Sequence, residues 1–178
     1  MGKEQGPEFY TGYSYRKGGY KRYLPLWNVV SELIPNNKRI IDIGCGPGCF
    51  ARVLLSKKKV DYIGIDFSQH MITMAKSLEL PCEFILGNIK DPIIYTNYTS
   101  RDIFVCLEVL EHVSDDYSVL DNIPKSSDVI LSLPSGNSAG HVRYFPSMGN
   151  VIERYEKQLI FYTQKQIGVL YLFKCERI

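Results

Sequence analysis

The sequence predicts a three-layer α/β/α sandwich whose seven-stranded sheet is mostly parallel, with an antiparallel last strand. Short apolar runs alternate with amphipathic, helix-like segments along most of the chain, which is the pattern of a parallel sheet covered by helices on both faces. A glycine-rich turn at residues 44–48 joins the first of these runs directly to a helix. Asp66 ends the second run, 24 residues after Asp42 in the first. Together these features indicate a nucleoside-type ligand at the carboxyl edge of the sheet.

The composition is that of an ordinary globular domain. The 178 residues are 45% hydrophobic and 22% charged, which suits one domain with a sizeable core. The formal net charge of +2 neither demands nor excludes a nucleic-acid partner. No apolar run is long enough to cross a membrane, and the sequence does not indicate an oligomeric state.

The five cysteines predict reduced thiols. Their number is odd, they form no C-x-x-C pair, and two of them, Cys45 and Cys49, lie in or next to the glycine-rich turn. This usage is typical of a cytoplasmic protein that has neither disulfides nor a cysteine zinc site.

Residues 1–23 are predicted to form a tyrosine-rich arm that precedes a single domain, residues 24–178. Neither a helical nor a strand period holds in the arm, and aromatic and basic side chains interleave. One interpretation is a lid that closes over ligands, and the other is an arm whose tyrosines pack on the domain surface. The residues concerned are Tyr10, Tyr13, Tyr15, Tyr20 and Tyr23 with Arg16, Lys17, Lys21 and Arg22.

In the first half of the domain, a helix is predicted where apolar residues recur at helical spacing, with Pro25 in its first turn. Ser68 is the predicted N-cap of a later helix, which leaves the neighbouring Asp66 available to a ligand. The predicted helices are residues 24–34, 50–55 and 69–78, and the predicted strands are residues 40–43, 60–66 and 82–86.

In the second half, buried strands are predicted at 102–107 and 129–133, with a helix at 115–123 that Ser114 caps and Pro124 ends. Two further strands, 158–163 and 169–174, are separated by a short link at 164–168 and therefore predict a hairpin. This hairpin would place an antiparallel strand at the end of the chain.

The glycine-rich turn is the most specific of the motifs. Gly44, Gly46 and Gly48 allow backbone angles that a side chain would forbid and let a ligand approach the main chain. Their G-x-G-x-G spacing differs from the dinucleotide pattern, which would need a glycine in place of Cys49. The turn, with Asp42 two residues before it, resembles the first motif of the class I S-adenosylmethionine-dependent methyltransferases. A carboxylate here suits the ammonium and sulfonium of that cofactor better than it suits a phosphate.

The resemblance covers roughly residue 34 to the C-terminus, and it implies a Rossmann-like sheet with the cofactor along its carboxyl edge. It implies that Asp66 accepts hydrogen bonds from both ribose hydroxyls. It also implies that Asn88 meets the adenine amine, where the family usually has an acidic residue, and that Ile89 packs on the ring. The full set of implied cofactor contacts is Asp42, Gly44, Cys45, Gly46, Gly48, Asp66, Phe67, Asn88, Ile89, Leu107 and Glu108.

A second motif, E-V-L-E-H at residues 108–112, follows the fourth strand, which in this family ends beside the transferred methyl group. Glu111, His112 and the distant His141 are therefore candidate catalytic residues. Together with Glu108 they could hold Mg²⁺ or Mn²⁺. Without a metal, His112 could serve as a general base or only fix the loop by hydrogen bonding.

Two groups of methyltransferases have similar residues here. The ubiquinone-biosynthesis O-methyltransferases resemble the chain through residues 108–113, and the small-RNA terminal 2′-O-methyltransferases use a comparable Glu, Glu-His and distant His set on Mg²⁺ or Mn²⁺. The preferred prediction is O-methylation of a small-molecule acceptor by S-adenosylmethionine, with S-adenosylhomocysteine as product. Arg143 could bind an anionic group of the acceptor or form a surface ion pair.

Three alternatives to this prediction stay open. The first is an RNA ribose 2′-O-methyltransferase that uses a divalent metal. The second is a non-catalytic S-adenosylmethionine-binding partner subunit. The third is a dehydrogenase, because a carboxylate at the position of Asp66 also suits a nicotinamide dinucleotide.

Overall fold

The structure, a computed structural model, describes residues 2–12 and 19–178. These residues form one seven-stranded sheet in the order β3-β2-β1-β4-β5-β7-β6. All neighbouring strands from β3 to β5 pair in parallel, whereas β7 pairs antiparallel with both β5 and β6. The strands are β1 Arg39–Ile43, β2 Asp61–Asp66, β3 Glu83–Leu86, β4 Ile103–Leu107, β5 Asp128–Pro134, β6 Leu159–Ile167 and β7 Leu170–Arg177.

The predicted three-layer arrangement is confirmed. The central strands are buried along nearly their whole length, because hydrophobic clusters cover both faces of the sheet. One cluster includes Ile41 and Phe104, and the other includes Ile40 and Val105, as expected for side chains that alternate between the two faces of a strand.

Five α-helices flank the sheet in the described part of the chain: α1 Leu24–Leu33, α2 Cys49–Leu55, α3 Gln69–Lys76, α4 Asp116–Asn122 and α5 Met148–Tyr155. Ser68 caps α3 by accepting a hydrogen bond from the amide of Met71, as predicted. The predicted cap of α4 was wrong by one residue, since Asp115, not Ser114, accepts from the amide of Ser118. A carboxylate is at least as good an N-cap acceptor as a hydroxyl.

Two features differ from the sequence prediction. Helix α5, which Ser147 caps, was not predicted; it packs Val151 and Tyr155 against the cluster around Phe104. The last two strands are longer than expected, so the predicted link at 164–168 lies mostly within β6, and the hairpin turns at residues 168–169.

Candidate functional site

A cavity of about 750 Å³ lies at the carboxyl edge of the sheet. The glycine-rich turn, the segment after β4, the loop after β5 and five residues of the arm contribute to its wall. Ten of the eleven predicted cofactor residues line it, together with the predicted catalytic residues Glu111, His112 and His141. The exception among the predicted cofactor residues is Gly48.

The glycine-rich turn is tied to β2, because the amides of Gly44 and Cys45 both donate to the carbonyl of Ile65, at 2.8 and 3.0 Å. Gly46 has a φ of 53° and no atom within 4 Å of the place where a Cβ would lie, so its main chain is open to a ligand. Gly48 does not line the cavity. A Cβ there would lie 3.0 Å from the Phe84 ring, so this glycine permits close packing of α2 on its neighbours.

Asp42 lies in the cavity wall and is 3% exposed. The hydroxyl of Tyr62, on the neighbouring strand, donates a hydrogen bond to its Oδ2. Burial raises the pKa of Asp42 to about 7, although the hydrogen bond from Tyr62 opposes that rise. A cation bound in the cavity would favour the ionised carboxylate.

Asp66 supports the turn as well as facing the cavity. Its Oδ2 accepts from the amide of Gly46 at 2.9 Å, and its Oδ1 accepts from the amide of Ser68 at 2.8 Å. Burial raises its pKa, while these amide contacts oppose the rise. The amide of Phe67 also bonds this carboxylate, which has about four acceptor sites and so retains one for a hydroxyl donor.

The predicted adenine residues lie on the β2–β3 side of the cavity. Phe67 is 39% exposed, Asn88 is exposed and Ile89 is 9% exposed. The Asn88 Oδ1 already accepts from the amide of Lys90 at 3.0 Å, and its remaining lone pair and amide group are available to a base edge.

Glu108 has a φ of 58°, a conformation that is strained for a residue with a side chain. Its Oε1 accepts from the hydroxyl of Ser132 at 3.0 Å, and burial raises its pKa to about 7. This strained position immediately follows β4 and turns the chain toward the cavity, as is common at functional sites.

Glu111, His112 and His141 form what we call the carboxylate–histidine cluster. One ligand atom of each lies within 4.8 Å of the others, and the two imidazole rings meet edge to face with centroids 4.8 Å apart. His112 Nε2 lies 3.8 Å from Glu111 Oε1, and His112 Nδ1 lies 3.0 Å from the carbonyl of Gly140. The carbonyl contact is a hydrogen bond if Nδ1 carries the proton, which would leave Nε2 free to bind a metal or accept a proton.

The cluster contains buried polar atoms that lack partners among the described residues. Both carboxylate oxygens of Glu111, which is fully buried, and Nδ1 of His141 make no hydrogen bond. Burial raises the pKa of Glu111 well above its usual range and lowers that of His112 to about 4. Orphaned buried groups of this kind are rare and point to a missing partner, such as an ion or a ligand.

Two other residues of interest from the sequence analysis lie outside the carboxylate–histidine cluster. Glu108, the fourth predicted metal ligand, is not part of the close group and bonds Ser132 instead. Arg143, predicted to bind an anion or to form a surface ion pair, is half-buried and turned inward. Its guanidinium donates to the carbonyls of residues 110, 113 and 114 and lies 3.1 Å from the buried Asp116.

Part of the arm contributes to the wall of the cavity. Glu4 accepts from Lys90 Nζ and from the amide of Ser114, both at 2.8 Å, and the ring of Tyr10 meets that of His112 edge to face. The predictions for Tyr13, Tyr15, Arg16 and Lys17 lie outside the described residues.

Several lining residues were missed by the sequence analysis. Leu26 and Trp27 contribute from the start of α1, and residues 167–170 contribute from the tip of the β6–β7 hairpin. The hairpin tip could have been expected here, because β6 runs parallel to β5 and therefore ends at the same edge. The sequence around Trp27 gave no comparable signal.

The fold and the cavity define a class I S-adenosylmethionine-dependent methyltransferase, with the strand order and glycine-rich turn of that superfamily. The sequence profile described as "Methyltransferase domain" matches residues 34–155, and the chain belongs to that family.

Individual similarities agree with this assignment. The chain is 30% identical over 131 residues to the 235L protein of Invertebrate iridescent virus 6, which carries a methyltransferase name; the match covers 72% of this chain and 49% of the viral protein. It is 31% identical over 91 residues to a ubiquinone biosynthesis O-methyltransferase of Aliivibrio fischeri, covering 49% and 38% of the two chains. The chain thus spans about half the length of these curated relatives or less.

The fold is also that of a TehB-like SAM-dependent methyltransferase from Corynebacterium glutamicum. The two structures superpose with a TM-score of 0.73 at 17% identity, over 97% of this chain and 100% of the other. Among the residues that the structure describes, no helix is long and apolar enough to span a membrane.

Proposed function

We propose that this chain transfers the methyl group of S-adenosylmethionine to an oxygen of a small-molecule acceptor. One observation carries the proposal: a single cavity joins the glycine-rich turn, Asp42 and Asp66 to the carboxylate–histidine cluster. A cofactor held by the first group would present its sulfonium toward the second. Most of the acceleration would come from placing donor and acceptor in line within a cleft that excludes water.

The size of the cavity favours a small acceptor. A volume of about 750 Å³ lies within the range of roughly 300–1,000 Å³ typical of small-molecule sites, and apolar side chains such as Leu26, Trp27 and Leu170 contribute to the lining. The similarity to ubiquinone-biosynthesis O-methyltransferases supports an oxygen acceptor.

We also expect a cytoplasmic protein, since all five cysteines, which lie within the described residues, are free.

In the metal-free protein His112 is the proposed general base; with an ion bound, its Nε2 would be a ligand instead. Burial lowers its pKa to about 4, so the ring is neutral at pH 7 and able to accept a proton from an attacking hydroxyl. In the tautomer that donates from Nδ1 to Gly140, Nε2 faces the Glu111 side and is the accepting atom.

We further propose a divalent cation in the carboxylate–histidine cluster. The orphaned oxygens of Glu111 and the orphaned Nδ1 of His141 fit a cation, because each supplies a buried lone pair without a donor. Glu111, His112 and His141 would hold the ion. When bound, it would lower the pKa of a coordinated acceptor hydroxyl.

Calorimetry tests these assignments in order. Titration of S-adenosylmethionine and S-adenosylhomocysteine should give one-site binding, whereas a nicotinamide dinucleotide should give none. Mn²⁺ and Mg²⁺ are then titrated into the homocysteine complex of the native protein and of Glu111→Ala. Saturable binding that the substitution abolishes would support the metal.

Turnover is tested separately with radiolabelled cofactor against catechols, other phenols and RNA with a free ribose diol. Methylated phenol without methylated RNA is the expected result. Methylated RNA would replace the small-molecule proposal with the ribose alternative. Intact cofactor binding without turnover of any acceptor would instead indicate a non-catalytic partner subunit.

A further inference from the structure

The carboxylate–histidine cluster is assembled from two segments that are distant in sequence. Glu111 and His112 lie on a three-residue 3₁₀ turn, Leu110–His112, that follows β4. His141 lies in the loop after β5. A 3₁₀ turn this short has poor internal hydrogen-bond geometry and does not hold its side chains in place by itself.

Backbone contacts connect the two segments. The amides of Val142 and Arg143 both donate to the carbonyl of Glu111, at 2.8 and 3.4 Å. These bonds place His141 beside Glu111, but they fix only one carbonyl of the turn.

The Arg143 side chain fixes the rest of the turn. Nη1 donates to the carbonyls of Leu110 and Val113, and Nη2 donates to that of Ser114 at 2.8 Å. The guanidinium therefore spans the turn from the residue before Glu111 to the second residue after His112. A planar guanidinium with five donors can serve several acceptors at fixed angles, which an ammonium cannot.

A buried carboxylate holds the guanidinium itself. Asp116 is fully buried, and its Oδ2 lies 3.1 Å from Arg143 Nη1. Arg154 binds the same carboxylate through two hydrogen bonds of 2.8 and 2.7 Å, and the Tyr155 hydroxyl donates to it at 2.6 Å. The carboxylate thus anchors Arg143 between α4, α5 and the turn.

We propose that Arg143 is a positioning residue that holds the Leu110–His112 turn and the His141 loop together, and so assembles the carboxylate–histidine cluster. The inference rests on the proposed role of that cluster in binding a divalent cation. Arg143 does not itself line the cavity and acts through the residues that do. Replacing Arg143 should therefore weaken metal binding although the side chain does not contact the ion.

Arg154 provides a matched control. It binds the same buried Asp116 as Arg143 does, but among the described residues it donates no hydrogen bond to a carbonyl of the turn. Arg143→Gln and Arg154→Gln therefore both weaken the Asp116 network, and only the first also releases the turn. Arg143→Lys is the second variant, because it keeps the charge beside Asp116 while replacing the fork by a single ammonium group.

The experiment measures three quantities on each full-length variant saturated with S-adenosylhomocysteine. These are the melting temperature, the Mn²⁺ dissociation constant by calorimetry, and the ring-nitrogen chemical shifts of His112 and His141 by NMR. Removing an outer support of a metal site typically weakens binding about 10–100-fold, and we expect that loss in Arg143→Gln and a smaller loss in Arg143→Lys. Arg154→Gln should lower the melting temperature and leave Mn²⁺ affinity unchanged.

The outcomes distinguish a failure of this inference from a failure of the metal proposal. Equal Mn²⁺ losses in Arg143→Gln and Arg154→Gln, in step with stability, would overturn the inference and leave the metal standing. If the native protein binds no Mn²⁺, the metal proposal fails. The ring-nitrogen chemical shifts of His112 and His141 then test the positioning role by themselves. Shifts altered by Arg143→Gln but not by Arg154→Gln support the positioning role, and shifts unaltered by both overturn it.

Discussion

The phenolic hydroxyl of Tyr62 on β2 donates a hydrogen bond to Asp42 on the neighbouring β1. Asp42 lies two residues before the glycine-rich turn. Tyr62 is 1% exposed and Asp42 is 3% exposed, yet Asp42 still lines the cavity. A neutral donor thus holds a buried carboxyl group at the position where the proposed cofactor carries its positive charges. Cofactor binding should consequently be linked to the ionisation of Asp42.

The first prediction concerns the pH dependence of cofactor affinity. Because burial raises the pKa of Asp42 to about 7, the carboxyl group is mostly protonated below pH 7, and a cationic ligand must then displace a proton. The dissociation constant should fall as the pH rises from 6 to 8, by at most about tenfold per unit below the pKa. Calorimetry in buffers of different ionisation enthalpy measures the released proton.

Asp42→Asn is the control for this linkage. In this variant the ligand's own amine still titrates, whereas the carboxyl group at residue 42 is gone. Its affinity should be lower at pH 8, and its pH profile should be flatter than that of the native protein. An unchanged profile would assign the dependence to the ligand.

The second prediction concerns Tyr62. Tyr62→Phe removes the donor to Asp42, which should raise the pKa of that carboxyl further and weaken cofactor binding at pH 7. The loss of a hydrogen bond to a charged group is about 1.5–3 kcal/mol, or roughly a tenfold or greater loss of affinity. The pH profile should also shift to higher pH, and a weaker affinity without that shift would mean that Tyr62 acts only by packing.

The third prediction tests the open main chain at Gly46. A Cβ there would meet no protein atom within 4 Å, although the φ of 53° disfavours a side chain. Gly46→Ala should therefore cost about 1 kcal/mol of stability and should weaken cofactor binding by more, since the methyl group occupies the ligand's space. Gly168→Ala, at a φ of 60°, is the control for backbone strain, because Gly168 lines the cavity at the hairpin tip and not at the glycine-rich turn. Equal effects of the two substitutions on cofactor affinity would contradict a close approach at Gly46.

The fourth prediction concerns the arm as a lid. Glu4→Gln weakens the contacts with Lys90 and the Ser114 amide, and a loss of about 1 kcal/mol corresponds to a roughly fivefold faster release of S-adenosylhomocysteine. Stopped-flow fluorescence measures the release rate. Glu8→Gln, an exposed position in the same segment, should have no effect, and equal rates in all three proteins would leave the arm as a surface feature.

The sequence was most informative about side chains that follow the ends of parallel strands. Asp42 and Asp66 could be placed together because the carboxyl ends of parallel strands meet at one edge of the sheet. For the same reason Glu111 and His112 were expected beside the loop that carries His141. These inferences need only the order of strands and turns.

Other features depend on contacts that no local pattern encodes. Tyr62 occurs in an apolar strand and resembles any core aromatic residue, so its bond to Asp42 was not visible. The role of Arg143 was left open between an anion site and a surface ion pair, because its acceptors are carbonyls about thirty residues away. Helix α5 has only Val151 and Tyr155 fully buried, and such a short, mostly polar helix derives its stability from tertiary packing rather than from propensity.

The fifth prediction sets stability against function at Glu111. Without a cation, the protein buries a carboxyl group whose two oxygens have no partner among the described residues, at a cost of about 1–3 kcal/mol. Glu111→Leu, of similar volume, should therefore raise the melting temperature of the metal-free protein while it abolishes Mn²⁺ binding and turnover. Glu153→Leu, in the exposed part of α5, gives the general effect of removing an acid. A Glu111→Leu protein that melts lower than the native one would mean that an unseen donor already satisfies the carboxylate, and that the cluster needs no cation.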